Sequence, residues 1–135
     1  MNTQLGHLQI NVHAANLPFY KDLFAFLAWN TIVDMEGMLG LIDRNHTSLW
    51  FIGQAKDVQN DYDGPGVNHI AISAAAQADI DTAAAYLRER GVELLFATPQ
   101  HRADFAQGPD QTYYQVMFET PDRILFEIVY IGVKS

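Results

Sequence analysis

The chain has 135 residues, enough for one domain of ordinary size that buries a core without disulfides. Its 49% hydrophobic and 18% charged content is that of a globular protein, and the absence of cysteine excludes thiol nucleophiles, thiolate metal sites and disulfides. Eight basic against sixteen acidic residues give a net charge of -8, which opposes the phosphate neutralisation that drives nucleic-acid binding.

The start of the chain has neither the basic nor the apolar part of a secretory signal, and no stretch approaches the roughly 20 apolar residues of a membrane span. A cytoplasmic protein with no nucleic-acid and no membrane partner is expected. Any metal must be held by His and carboxylate.

Residues 5–12 alternate as a strand, with Leu8, Ile10 and Val12 on one face and His7, Gln9 and Asn11 on the other. Asn16 is placed to cap a helix over 16–27, with Pro18 in its first turn and Leu17, Tyr20, Leu23, Phe24 and Leu27 as its apolar stripe. Apolar segments at 29–35, 38–42 and 48–53, separated by Glu36-Gly37 and Asp43-Arg44-Asn45, read as an antiparallel meander. Residues 54–66 are polar and rich in Asp, Gly and Pro, hence a surface connection.

The order then starts again. Residues 67–73 repeat the opening strand, and a helix of good formers begins at Asp79 and stops at Gly91, suited to the left-handed position after a helix. Strands are expected at 92–97, 112–119 and 124–131. His7-Leu8-Gln9-Ile10-Asn11-Val12 matches His69-Ile70-Ala71-Ile72-Ser73-Ala74 at an offset of 62 residues, so each half is βαβββ. The fold class is α+β: a single domain of residues 1–135, with one module over about 1–54, a connection over 55–66 and a second module over about 67–135. A duplication of two must close on itself, and a cleft-shaped, partly open mixed β-barrel with flanking helices is expected.

With these stretches, together with Pro18-Phe19-Tyr20-Lys21-Asp22-Leu23 and Thr120-Pro121-Asp122-Arg123-Ile124-Leu125-Phe126-Glu127, the chain resembles the vicinal-oxygen-chelate superfamily of glyoxalases, bleomycin-resistance proteins and dioxygenases over nearly its whole length. The resemblance implies that His7, His69 and Glu127 point into a shared cleft as metal ligands and that the fourth ligand position falls on Trp50. It also implies a homodimer. Strand alternation agrees, because Leu8, Ile10, Ile70, Ile72, Phe126 and Ile128 take the face opposite these candidates. Two imidazoles and one carboxylate leave open positions on one divalent transition metal ion (Fe, Mn, Ni, Co or Zn) for oxygens of a small-molecule substrate.

Gln9, Asn11, Trp50, Tyr113 and Tyr114 are candidate substrate-binding residues. Tyr113 and Tyr114 lie on opposite faces of one strand, so one of them faces inward. Trp50 is either a pocket wall or core, and residues 98–111 form a long loop near that strand. No catalytic residue is assigned, and His13, His46 and His101 are read as surface residues.

The resemblance to particular members is partial. Glyoxalase I enzymes carry Glu where this chain has Trp50, which argues against that activity. Extradiol dioxygenases carry Tyr where this chain has Met117, and fosfomycin-thiol transferases carry Thr where it has Gln9. The expected function is a metal-dependent enzyme of lyase, isomerase, thiol-transferase or dioxygenase type. The alternative is a metal-free drug- or metabolite-binding module, which the net charge of -8 would suit if the ligand were cationic.

Overall fold

The computed structural model describes all 135 residues, which divide into two compact units at Gln59/Asn60, inside the expected connection. In the first unit, strand β1 (His7–Asn11) leads through a short 3-10 turn into helix α1 (Leu17–Phe26), followed by β2 (Asn30–Met35), β3 (Met38–Ile42) and β4 (Ser48–Ile52). The sheet order is β1-β4-β3-β2, with β1 and β4 parallel and the other pairs antiparallel.

The alternation in β1 sends Leu8, Ile10 and Val12 to the face occupied by Leu49 and Phe51 of β4. There Tyr20 stacks on Phe51 at 4.3 Å between ring centroids, and Phe24 meets both Phe51 and Trp29. Tyr20, Leu23, Phe24, Leu39, Leu41, Leu49 and Phe51 form this unit's buried core. Asn16 makes no side-chain cap: it sits in the helical region as the last residue of the 3-10 turn, with Pro18 following in the first turn of α1.

The second unit repeats the order with β5 (His69–Ser73), α2 (Gln77–Glu89), β6 (Gln100–His101), β7 (Gln111–Glu119) and β8 (Leu125–Val133), in sheet order β5-β8-β7-β6. Helix α2 begins two residues before Asp79, whose carboxylate reaches back to accept from the Ala76 N–H at 3.0 Å. It ends as expected at Gly91, whose φ is +71, with the Val92 N–H bonded to the Leu87 carbonyl at 3.0 Å. Ile80, Ala83, Ala84 and Leu87 of α2 are buried, as are Val116, Phe118, Phe126 and Ile128 of the sheet it packs on.

One strand expectation is corrected. The 92–97 segment is no strand: Phe96 and Ala97 take left-handed φ values of 56 and 57, which cannot continue a ladder. Only a bridge from Leu94 to Phe118 remains, and the third strand is the two-residue β6. The expected tandem βαβββ organisation holds, each unit carrying one mixed four-stranded sheet.

Candidate functional site

The two parallel pairs carry the site positions at matching registers. His7 pairs with Ser48 and Gln9 with Trp50, as His69 pairs with Leu125 and Ala71 with Glu127. Trp50 and Glu127 are therefore structural equivalents, one in each repeat.

In the second unit, His69, Glu127, Tyr113, Gln115 and Met117 share the sheet face opposite α2. Glu127 is 2% exposed, and its side chain is hydrogen-bonded. Tyr113 donates its hydroxyl to Glu127 Oε1 at 2.7 Å, and Gln115, oriented so that both ends of its amide find partners, donates Nε2 to the same oxygen at 2.6 Å. The other oxygen, Oε2, lies 3.1 Å from His69 Nε2. Burial, the bond to Glu127 and the carboxylate's charge together push the Tyr113 phenol up to about 12, so it remains a neutral donor at physiological pH.

His69 has a definite orientation. The Asn68 amide nitrogen donates to the Tyr62 carbonyl at 2.9 Å and to Asp63 Oδ1 at 3.2 Å, which turns its oxygen to His69 Nδ1 at 2.8 Å. An amide oxygen only accepts, so Nδ1 carries a proton. Nε2 then has two options. It carries a second proton and pairs as an imidazolium with Glu127, or it presents a lone pair beside a carboxylate oxygen, an arrangement that needs a cation between them. The 3.1 Å separation is close to the roughly 3.0 Å expected for two neighbouring ligands at right angles, each about 2.1 Å from one ion. The donor set fits a divalent metal. A histidine whose other nitrogen is held by a carbonyl is the usual form of a metal-ligating imidazole.

In the first unit, His7, Gln9 and Asn11 are exposed on the face opposite α1, beside the half-buried Trp50. Asn11 Oδ1 accepts from Gln9 Nε2 at 3.1 Å and from Gln54 Nε2 at 3.3 Å, forming an exposed patch of three amides. Trp50 lies flat over Gly40, where a Cβ would stand 2.7 Å from its ring, and donates Nε1 to Ser48 Oγ at 3.1 Å. It is a wall of this polar face and not part of the core.

Of the three expected ligands, His69 and Glu127 are in contact and His7 stands on the first unit's strand; no group of three or more His, Asp or Glu side chains placed to hold an ion occurs in the chain. Tyr113 is the inward tyrosine. Tyr114 faces the other way and donates its hydroxyl to Asp81 on α2 at 2.7 Å, so it leaves the candidate set. His101 meets Thr112 Oγ1 at 2.5 Å through Nδ1.

Gln54, Asn68, Gln115 and Arg102 were not expected from the sequence. Gln115 is signalled weakly, as an amide side chain in the middle of a buried strand, on the Tyr113 face. Arg102, which donates Nε to Gln115 at 3.0 Å from thirteen positions earlier, has no local signal.

No family model and no curated protein sequence matches the chain. Solved structures do. A glyoxalase-like protein from Bacillus halodurans is 30% identical over 93% of this chain and 94% of its own, with a TM-score of 0.76. A glyoxalase/dioxygenase from Nostoc punctiforme is 17% identical over 96% of this chain and 91% of its own, with a TM-score of 0.69. The fosfomycin resistance protein FosX from Listeria monocytogenes is 17% identical over 96% and 94%, with a TM-score of 0.66. The last two share the fold alone. With tandem βαβββ units and the first of these relatives, the chain belongs to the glyoxalase/bleomycin-resistance/dioxygenase, or vicinal-oxygen-chelate, superfamily.

Proposed function

We propose that the chain is a divalent-metal protein of this superfamily, in which His69 and Glu127 are ligands of one transition metal that receives oxygens of a small substrate. The observation that carries this reading is the orientation of His69: its Nδ1 proton is committed to Asn68, and its Nε2 stands 3.1 Å from Glu127 Oε2. When bound, such an ion acts as a Lewis acid on substrate oxygens, a contribution commonly worth several kcal/mol.

The chain's own residues have separate tasks. Asn68 fixes the His69 ring, and Tyr113 and Gln115 orient the Glu127 carboxylate. The amide patch of Gln9, Asn11 and Gln54 offers donors and acceptors to a polar ligand, and Trp50 offers an aromatic wall. The reaction class fits a lyase, isomerase, thiol-transferase or dioxygenase. Trp50 in place of a carboxylate argues against glyoxalase I.

The test is elemental analysis of the purified protein. About one transition metal per chain is expected after reconstitution, and His69→Ala should lose it. A wild-type protein that neither contains nor takes up metal overturns the reading. It would favour a second one, in which His69 is an imidazolium paired with Glu127 and the chain sequesters a cationic small molecule, as its net charge of -8 allows.

A further inference from the structure

The hydrogen bonds around Glu127 have a direction that originates at Arg102. A guanidinium only donates, so Arg102 Nε, 3.0 Å away, obliges Gln115 to turn its oxygen outward and its nitrogen to Glu127. Arg102 is itself held from two sides: its Nη2 donates to the Phe96 carbonyl at 2.8 Å and its backbone N–H to the Tyr113 carbonyl at 2.7 Å. Gln115 is 5% exposed, which leaves its amide little freedom to exchange partners with water.

The consequence falls on one atom. Glu127 Oε1 accepts from Gln115 at 2.6 Å and from Tyr113 at 2.7 Å, which occupies both of its lone pairs, while Oε2 faces His69. We propose that Arg102 is a positioning residue that, through Gln115, restricts Glu127 to ligation by a single oxygen. The proposal rests on the metal reading above. One-oxygen ligation suits a small transition ion and disfavours Ca2+, which takes six to eight oxygens and readily accepts a bidentate carboxylate.

The test is Co(II) binding, followed by its visible absorption, to metal-free wild type, Arg102→Ala, Gln115→Met and the double variant, each first shown to be folded by circular dichroism. Each single variant should bind Co(II) about 10- to 100-fold more weakly, the range usual for partners of a ligand. Adding Arg102→Ala to Gln115→Met should cost nothing further, because the arginine acts only through the amide. Ca2+ should compete with Co(II) better in both single variants than in wild type.

Arg102 is half-buried, so its variant keeps the test usable if Gln115→Met fails to fold. In that case the Gln115 side-chain NH2 is followed by NMR in metal-free protein: a shifted, exchange-protected pair is expected in wild type and an averaged one in Arg102→Ala. Wild-type Co(II) binding with unchanged single variants, an additive double variant, or an unaltered Gln115 amide overturns the relay alone. A wild type that takes up no Co(II) overturns the metal reading, and the ligation proposal with it.

Discussion

Neighbouring tyrosines in β7 show how one position of offset divides roles. Tyr113 donates to a buried carboxylate on the site face, whereas Tyr114 donates to Asp81 on the helix face. Burial, then the bond to Asp81 and that carboxylate's charge, push the Tyr114 phenol up to about 12 from its ordinary value of 10.0. The sign follows from the neutral form being favoured by folding. Its contribution is complete below pH 10 and is lost as pH rises through about 12. Wild type should therefore lose stability more steeply than Tyr114→Phe between these two values, as read by urea midpoints. The alkaline ultraviolet titration of Tyr114→Phe should lack one late-titrating phenol. A variant with the wild-type slope would show that this hydroxyl has no differential stabilisation. The shared face of His69 and Glu127 was legible at this scale, since strand alternation puts both opposite Ile70, Ile72, Phe126 and Ile128. The choice between Tyr113 and Tyr114 was not, because alternation separates two faces without saying which one the helix covers.

The two helices end in the same way with different residues. Gly91 and Ala28 both stand just beyond a helix with positive φ, 71 and 62 respectively, and the following N–H in each case returns to a carbonyl of the last turn. Glycine adopts this conformation freely, whereas an L-residue pays roughly 1–2 kcal/mol. Ala28→Gly should raise stability by about 0.5–1 kcal/mol, the remainder being lost to the greater freedom of glycine in the unfolded chain. A denaturant midpoint at or below that of wild type would refute this. The helix stop at Gly91 was legible for that reason, while Ala28 gave no such signal. The strand expected at 92–97 failed on the same physics: its composition suits a strand, but Phe96 and Ala97 turn the chain, and the segment leads instead to Arg102.

At the scale of the molecule, the offset of 62 residues recovered both βαβββ units and the relationship of His7 to His69. The homodimer implied by the family resemblance is expected to appear in light scattering as twice the chain mass of 15.2 kDa. Exposed Ile32 and Met35 on edge strand β2, and Ile131 and Val133 at the end of β8, supply apolar surface that association would cover. A mass of one chain at micromolar concentration would refute it. By itself the sequence determined the repeat and the faces of the strands, because periodicity is a local property written in successive residues, while His69 and Glu127 were singled out by the family resemblance. Tertiary structure alone decided that Tyr113 faces Glu127 and that Arg102 sets the polarity of Gln115. Those outcomes depend on hydrogen bonds between residues brought together by the path of a loop, and a donor's partner at that distance leaves no trace in the residues beside it.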